Sequence, residues 1–421
     1  MRLLYSFLFY VSLPFVVLRL VWRTRRNPAY GQRWAERFGE IPFTVKQNGI
    51  WWHSVSMGET LAAIPLIKLF QQKHPDIPIL VTTMTPSGSE QVIKNLGESV
   101  QHVYIPYDLP NIILNFIKQL KPRLVVIMET ELWPNMLYYC HQQKVPVLLA
   151  NARMSEKSAT GYGRFSSLTH EMMQNITTIA VQNKEDGGRF IRLGFSPERL
   201  IITGTIKFDI TISDDLIHKA RDLRSKWQLD RPVWIAASTH PGEEEIILEA
   251  AKQIPTALLI LAPRHPDRIK DVINLCQKAN LKFCLRSADE LPDNNTQVFL
   301  IDTLGELLLF YAASDIAFVG GSLIPKGGHN LLEPAALGLP VLTGESLYNF
   351  AEIERLLDKA KGLIKIKTSK ELSREINLLF QDTQKREQMG AAAKNVIMAN
   401  KGATEKHLML IEQNLKDNTR A

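Results

Sequence analysis

The chain has 421 residues, of which 45% are hydrophobic and 22% charged, a composition typical of a globular protein with two domains. Its three cysteines have no C-x-x-C spacing, which argues against a disulfide framework or a structural zinc site and favours a reducing compartment. The net charge of +7 does not indicate nucleic-acid binding. Residues 1–35 contain six arginines and no lysine or acidic residue, whereas the other 386 residues carry 44 basic and 43 acidic side chains.

The first predicted element is an apolar segment from Leu3 to Trp22, followed by a cluster of arginines. About twenty residues at ~1.5 Å rise each are just enough to cross a bilayer core. The arginines after the segment place the main body in the cytoplasm, and the charge arrangement is the opposite of that in a cleaved signal peptide. Residues 1–26 are therefore predicted to be a membrane-anchor helix with a basic flank. The helix either spans the bilayer or, given Pro14 and Arg19, lies in one leaflet.

Apolar strand-like runs then alternate with amphipathic helical runs in two series of seven strands. The first series is IWWHSV, PILVTTMT, HVYIPYD, LVVIMETE, VPVLLANAR, TIAVQN and LIITGTIKFD, and the second is PVWIAAST, ALLILAPR, KFCLRS, QVFLID, IAFVGGS, PVLTG and GLIKI. Valine-, isoleucine- and leucine-rich strands separated by helices predict buried parallel sheets. We therefore expect an α/β protein with two doubly wound, Rossmann-like lobes, residues 27–210 and 211–421.

Several of these strands end in polar residues, as in HSVSMGE, ETELWPN, PRHPDR and GGSLIPKGGHN. In open α/β sheets, ligands bind outside the carboxyl ends of the strands. If the polar edges of the two lobes face one another, they form a binding cleft.

The stretch HSVSMGET places Glu59 in the first turn of a predicted helix. The helix dipole favours an ionised carboxylate there, and Gly58 is expected to allow a tight turn and to keep the approach path open. Glu59 is thus a candidate general base for a hydroxyl group. The alternative is that it only caps its helix.

METELWPN brings Glu129 and Glu131 close together where a strand ends, which predicts a raised pKa, a cation partner or full solvation. Lys207, at the predicted lobe boundary, is a further candidate for the cleft. Solvent exposure or a structural ion pair is the alternative for each of them.

In the second lobe, residues 318–344 are predicted to form a strand, a glycine-rich loop, a helix and a strand. Unpaired N–H groups of such a loop form an anion site. Asn330 is the expected N-cap, and Glu333 either completes a capping box or holds ribose hydroxyls. Arg264, after a buried strand, is a candidate clamp for phosphate or carboxylate, and STHPGEEE and DTLGEL are expected to be further strand-to-helix loops.

Metal-binding patterns are absent from the sequence: we find no H-E-x-x-H, no Walker A motif and no clear D-x-D. Four histidines, His53, His240, His265 and His329, lie on separate segments and are expected to be hydrogen-bonding groups rather than metal ligands. The chemistry is predicted to need no metal and no other cofactor.

These motifs, in this order, resemble those of the 3-deoxy-D-manno-octulosonic acid (Kdo) transferase family of Gram-negative bacteria. The resemblance covers nearly the whole chain and includes NARMS, QNKEDGGRF and FVGGSLIPKGGHNLLEP. It implies two Rossmann-like lobes in the glycosyltransferase B arrangement and a single N-terminal anchor in the inner membrane. It also implies inverting transfer of Kdo from CMP-Kdo to the lipid A precursor (lipid IVA) on the cytoplasmic side.

The resemblance further implies roles for individual residues. Glu59 corresponds to the general base, and Glu129 and Lys207 to residues that stabilise the transition state. The implied CMP-binding segments are Pro263 and Arg264, then Leu304, Gly305 and Glu306, then Asn330, Leu331, Leu332 and Glu333. Leu331 stands where proline is more usual, and Pro241 where an acidic residue is expected.

Two other functions remain open at the level of the sequence. A different nucleotide-sugar enzyme, such as an epimerase, would need neither a membrane anchor nor a lipid acceptor. A tethered two-lobed solute-binding protein would lie outside the cytoplasm, which conflicts with the arginines after the anchor.

Overall fold

The computed structural model describes residues 1–227 and 230–418. Its contacts divide the chain into two compact units, one of Met1–Lys207 with Gly402–Ala421 and one of Phe208–Lys401.

Each unit contains one seven-stranded sheet in which every pairing is parallel. The strands of the first unit are β1 (Ile50–His53), β2 (Ile79–Thr83), β3 (Gln101–Tyr104), β4 (Leu124–Met128), β5 (Val147–Ala152), β6 (Thr178–Val181) and β7 (Leu200–Ile202). Those of the second unit are β8 (Val233–Thr239), β9 (Leu258–Pro263), β10 (Phe283–Leu285), β11 (Val298–Leu300), β12 (Ile316–Val319), β13 (Val341–Thr343) and β14 (Leu363–Lys365). All fourteen predicted strands are present.

Helices pack on both faces of each sheet. They are α1 (Arg2–Arg26), α2 (Met57–Lys73), α3 (Pro86–Leu96), α4 (Pro110–Leu120), α5 (Pro134–Gln142), α6 (Glu156–Gly163), α7 (Ser166–Gln174), α8 (Lys184–Arg192), α9 (Asp214–Lys226), α10 (Glu244–Lys252), α11 (Ile269–Lys278), α12 (Leu307–Ala312), α13 (Leu332–Leu337), α14 (Ala351–Lys359), α15 (Ser369–Gln381), α16 (Thr383–Asn400) and α17 (Ala403–Asn418).

Alternate side chains of one strand enter separate cores, because successive residues of a strand point to opposite faces of the sheet. Trp51 belongs to one apolar cluster of the first unit, whereas Ile50 and Trp52 belong to the other. In the second unit, Trp234 and Ile235 divide in the same way. Burial on both faces explains why these strands read as continuous apolar runs.

The strand order fixes where a ligand site lies in each unit. The first sheet has the order β3-β2-β1-β4-β5-β6-β7 and the second the order β10-β11-β9-β8-β12-β13-β14. The direction of winding reverses between β1 and β4 in the first sheet and between β8 and β12 in the second. Crevices at such switch points are the usual ligand sites of doubly wound folds.

The position of the C-terminal helix α17 differs from the prediction, which placed residues 402–421 in the second lobe. Helix α17 belongs to the first unit, where the buried His407 Nε2 accepts a hydrogen bond from the Asn151 amide at 2.8 Å. The other ring nitrogen lies 2.7 Å from the Ala403 carbonyl, which identifies it as the protonated one. A long-range contact of this kind leaves no periodic signal in the sequence.

Helix α1 confirms the predicted N-terminal helix. Among the described residues it is the one helix long and apolar enough to cross a membrane. Helix α1 also contacts α5 of the same unit. Arg2 donates a hydrogen bond to the Asn135 side-chain oxygen at 3.0 Å, and the Arg2 guanidinium lies 3.6 Å from the centre of the Tyr138 ring.

Candidate functional site

Glu59 lies beside the switch point of the first sheet, in the first turn of α2. Its carboxylate accepts hydrogen bonds from the Val55 amide at 2.7 Å and the Ser56 hydroxyl at 2.6 Å, and Ser56 is the N-cap of α2. Burial raises the pKa of Glu59 above its ordinary value, against the lowering effect of these hydrogen bonds. A carboxylate has about four lone-pair sites, so capping leaves it able to accept one more proton donor.

Gly58 corrects one part of the sequence prediction. It is the second residue of α2 and has no left-handed φ, so the chain does not need glycine for a tight turn there. A Cβ added at Gly58 would meet no heavy atom within 4 Å. The tight turn is therefore not the reason for this glycine, whereas the space that its missing side chain would fill is open.

Glu129 follows β4, on the other side of the same switch point. Its φ of +57° is rare for a residue with a side chain, and such strain is found mainly at functional sites. Its carboxylate accepts a hydrogen bond from Arg153 Nε at 2.8 Å. Glu129 therefore has the cation partner that was one of the three predicted alternatives.

Glu131 takes another of these alternatives, a raised pKa. Burial, with smaller contributions from the charges of Glu59 and Glu129, raises its pKa to about 7. The Trp133 indole N–H donates to this carboxylate at 3.0 Å. Three carboxylates thus interact electrostatically at the edge of the first sheet, and one of them holds a proton near neutral pH. This coupling supports acid–base chemistry.

Lys207 ends the first unit in a short 3-10 turn, Ile206–Phe208, and its side chain is exposed. The Asn151 side-chain oxygen accepts a hydrogen bond from the Ile206 amide at 3.2 Å. Asn151 is itself buried and has a φ of +52°. A strained residue at the end of β5 thus holds the turn that presents Lys207.

In the second unit, the glycine-rich loop after β12 corrects another prediction. The amides of Gly321, Ser322 and Leu323 do not point outward. They donate to the carboxylate of Glu243, at 2.7, 2.9 and 2.9 Å, and Glu243 is completely buried. The His240 amide donates a fourth hydrogen bond to it at 3.1 Å. The predicted anion site at these amides is therefore filled by a side chain of the protein.

This loop approaches the end of β8 so closely that Gly320 is required. A Cβ at Gly320 would lie 2.7 Å from the Ser238 carbonyl oxygen and 2.9 Å from the Thr239 Cα. Ser238 has a φ of +57°. The two loops at the second switch point, after β8 and after β12, are thus joined by close backbone contact and by Glu243.

Asn330 and Glu333 do interact, but not as the predicted capping box. The N-cap of α13 is Leu331, and the Asn330 side-chain oxygen accepts from the Leu332 amide at 3.1 Å. The Asn330 amide group donates to the Glu333 carboxylate at 3.0 Å. Burial raises the pKa of Glu333, while Asn330 and the positive charge of Arg264 lower it. Arg264, which is exposed and directly follows β9, is therefore near enough for its charge to act on Glu333, and its role as a clamp stays a prediction.

The structure brings together three histidines that lie far apart in the sequence. His240 and His329 stack with ring centres 5.0 Å apart, and their Nε2 atoms are 2.8 Å apart. The His265 ring meets His240 edge-on. Burial, together with the nearby positive charge of Arg264, lowers the pKa of His329 to about 4. Sequence reasoning predicted hydrogen-bonding roles but did not predict the cluster.

The loop before α12 contains the other predicted donor contacts. Leu304 is 81% exposed and Gly305 has a φ of +89°. The Glu306 carboxylate is bound to Arg286, at 2.9 and 3.2 Å, and accepts from the Thr303 hydroxyl, which lowers its pKa. The side chain of Glu306 therefore holds the loop together.

Within residues 1–227 and 230–418, no three histidine, cysteine or acidic side chains are grouped as metal ligands would be. The absence of a metal requirement stays a prediction.

Comparison with known proteins identifies the family. Residues 32–210 match the family model of 3-deoxy-D-manno-octulosonic-acid transferase (kdotransferase), and residues 245–396 that of glycosyl transferases group 1. The 3-deoxy-D-manno-octulosonic acid transferase of Haemophilus influenzae is 42% identical and covers 99% of both chains. That of Bordetella pertussis is 31% identical and covers 93% of this chain and 95% of the relative.

Solved structures confirm the predicted fold class. MurG of Acinetobacter baumannii has a TM-score of 0.56 at 13% identity, covering 87% of this chain and 100% of its own. UDP-GlcNAc 2-epimerase of Neisseria meningitidis has a TM-score of 0.56 at 16% identity, covering 88% and 100%. At such identities the likeness concerns the fold alone, so the family comes from the relatives above. The chain belongs to the Kdo transferase family and is a glycosyltransferase.

Proposed function

We propose that this protein transfers Kdo from CMP-Kdo to a glucosamine hydroxyl of the lipid A precursor (lipid IVA), with inversion at the anomeric carbon. The observation that carries the proposal is the pair of carboxylates at the switch point of the first sheet, Glu59 after β1 and Glu129 after β4, in a chain of the Kdo transferase family.

Glu59 is the proposed general base. Its carboxylate removes the proton of the acceptor hydroxyl as that oxygen attacks the anomeric carbon from the face opposite CMP. The bond from the anomeric carbon to the phosphate oxygen breaks, and CMP leaves with the electron pair. The raised pKa supports this role, because a stronger base is a better proton acceptor, and such catalysis contributes roughly 10²–10⁴-fold.

Glu129 and Lys207 are the proposed stabilisers of the transition state. The anomeric carbon becomes electron-poor as CMP departs, and a carboxylate favours that positive charge. An ammonium group favours the negative charge that develops on the departing phosphate. Arg153, whose Nε donates to Glu129, keeps that carboxylate oriented.

The donor is assigned to the switch-point edge of the second unit. Arg264 is the proposed clamp for the phosphate or for the Kdo carboxylate, and Glu333 is a proposed acceptor for ribose hydroxyls. The remaining donor contacts are proposed for Pro263, for the loop of Leu304, Gly305 and Glu306, and for the turn of Asn330, Leu331 and Leu332. Because Glu243 occupies the amides of residues 321–323, the donor anion is assigned to side chains rather than to that loop.

Arginine and lysine supply the positive charge that a divalent ion provides in other transferases, so metal-independent transfer is part of the proposal. The lipid acceptor stays in the inner membrane, with α1 as the anchor and the arginines after it toward the anionic cytoplasmic surface.

Incubation of the purified full-length enzyme with CMP-Kdo and lipid IVA tests the proposal. We expect release of CMP coupled to a gain of one or more Kdo masses on the lipid, unchanged by a chelator. Consumption of CMP-Kdo without a lipid product would contradict the assignment of the acceptor. Transfer that stops when a chelator is added would contradict metal-independent transfer.

A further inference from the structure

The first unit contains an apolar cavity of about 640 Å³ that none of the proposed catalytic residues lines. Its lining includes Leu4 and Leu8 of α1 with Met1 before them, and Gly161, Leu168 and Met172 of α6 and α7. The volume is typical of a site for a small organic ligand, since such pockets range from ~300 to ~1,000 Å³.

The wall formed by α1 is held in place by a buried polar cluster. Asp108 accepts hydrogen bonds from the Asn135 and Met136 amides at 2.9 and 2.8 Å, and from the Tyr5 hydroxyl. The Asn135 side-chain oxygen accepts from Arg2 at 3.0 Å and from Ser6 at 3.1 Å. Both Asp108 and Asn135 are buried, so separating α1 from this cluster would leave them without partners.

Both ends of α1 are fixed to the same unit. Arg2 is bound as described above, and Arg33, seven residues after the helix, donates to Ser89 Oγ at 2.9 Å and the His102 carbonyl at 3.2 Å. A helix crossing a ~30 Å bilayer core would carry Arg2 far away from the unit that holds Arg33. The structure therefore favours the one-leaflet alternative, in which α1 lies along the membrane surface.

The outward face of α1 is apolar: Leu3, Phe7, Phe15 and Leu18 are each more than 60% exposed. With this face in the acyl region of the leaflet, the cavity opens beside the bilayer interior, because Leu4, Leu8 and Phe165 of its lining are themselves 50%, 57% and 61% exposed. An acyl chain of a lipid is the occupant that a membrane surface supplies at this opening.

Two residues of the cavity wall are linked by hydrogen bonds to the carboxylate region at the edge of the first sheet. Trp133, in the cavity wall, donates its indole N–H to Glu131. Met84, also in the wall, donates its amide to the Val55 carbonyl at 3.1 Å, and the Val55 amide binds Glu59. The cavity wall is thus joined to Glu131 through Trp133 and to Glu59 through Met84 and Val55.

We propose that this cavity binds one acyl chain of the acceptor lipid and thereby sets the position of its glucosamine hydroxyl relative to Glu59. The proposal rests on the proposed function, because it takes the acceptor to be an acylated lipid. Since the bilayer interior is as apolar as the cavity, the chain gains little affinity on entry. The cavity acts instead by positioning the acceptor, and it selects acceptors by their acyl chains.

Helix α6 offers a matched pair of variants. A Cβ at Gly161 or at Gly163 would meet no heavy atom within 4 Å, and neither residue has a left-handed φ, but only Gly161 lines the cavity. We expect Gly161→Trp to lower kcat/KM for lipid IVA at least tenfold and to leave kcat/KM for an acetyl-chain analogue within twofold. Gly163→Trp should change neither value.

A photoreactive diazirine at the end of an acyl chain locates that chain directly. We expect wild-type enzyme to be labelled at Leu168 or Met172 and Gly161→Trp to lose this label. If wild-type enzyme transfers Kdo to lipid IVA but is labelled elsewhere, the cavity assignment is overturned. It is also overturned if Gly161→Trp lowers kcat/KM equally for lipid IVA and for the acetyl-chain analogue. Wild-type enzyme that transfers Kdo to neither acceptor would instead contradict the proposed function.

Discussion

Glu243 offers the sharpest structural prediction, because one buried carboxylate holds four backbone N–H groups of two loops. The change to test is Glu243→Gln, which keeps the shape of the side chain. An amide oxygen in the place of Oε1 still accepts from Ser322 and Leu323. The amide NH₂ in the place of Oε2, however, faces the N–H groups of Gly321 and His240, and two donors cannot pair.

The magnitude follows from these contacts. Hydrogen bonds to charged groups contribute about 1.5–3 kcal/mol each, so two lost bonds amount to roughly 3–6 kcal/mol. Burial already raises the pKa of Glu243, which means that the ionised form has a desolvation cost that the neutral amide avoids. We therefore expect a net loss of about 3 kcal/mol. For a unit of this size, that lowers Tm by roughly 6–12 °C.

Thermal unfolding of the full-length enzyme, followed with and without CMP-Kdo, measures this loss. Glu245→Gln is the matched control: Glu245 is exposed and accepts only from the Gly242 amide at 3.1 Å, so its Tm should change little. We also expect Glu243→Gln to raise KM for CMP-Kdo more than it lowers kcat, since the loop beside the proposed donor site loosens. Equal Tm values for the two variants would refute the role of Glu243.

Three further predictions concern individual residues. Arg264→Ala should weaken CMP-Kdo binding about tenfold or more in a titration, whereas Lys270→Ala, a change at another exposed residue, should not. Unchanged affinity in both variants would contradict the role of Arg264 as a clamp. Gly58→Ala should keep or raise the free energy of unfolding, by up to about 1 kcal/mol of helix propensity, and lower the transfer rate, because its methyl group enters the open space at the start of α2, next to Glu59 in the chain; an unchanged rate would contradict this expectation. The pKa of Glu131 is about 7 in the folded protein and has its ordinary value of 4.5 in the unfolded chain, so between these pH values the folded state binds more protons. The contribution of Glu131 to the free energy of unfolding therefore falls by ~1–3 kcal/mol as the pH rises from 4.5 to 7. Glu131→Gln should therefore raise Tm relative to wild type at pH 8 but not at pH 4, and a pH-independent difference would show that Glu131 is not responsible.

The fold was predictable because its signal is local. Each of the fourteen strands is an apolar run bounded by polar residues, and the parallel pairing follows from the helices between them. Strand order is not local, and neither is the place of α17: the contact between His407 and Asn151 joins residues 256 positions apart.

The candidate site was predictable in part. The sequence correctly placed Glu59, Glu129 and Arg264 beyond the carboxyl ends of strands, because these positions follow from the alternation of strands and helices. The partner of each group was not predictable. Nothing near the glycine-rich loop indicates that Glu243, 78 residues before Gly321, fills its amides.

The contacts of the histidines and of the anchor helix were not predictable either. His240 and His329 meet only because β8 and β12 are neighbours in the sheet, although 89 residues separate the two side chains. The apolar pattern of α1 predicts membrane association, but it does not distinguish spanning from lying in one leaflet. Our inference of the one-leaflet position depends on a contact that leaves no such pattern, the hydrogen bond from Arg2 to Asn135, 133 positions away.

The central claim is that Glu59 removes the proton of the acceptor hydroxyl, and Glu59→Gln tests it most directly. The amide retains the size of the side chain and can accept from the Val55 amide, but it cannot take up a proton. Single-turnover transfer from CMP-Kdo to lipid IVA should fall at least a hundredfold, while CMP-Kdo affinity in the same preparation stays within about twofold of wild type. Transfer at a near-normal rate would contradict the claim.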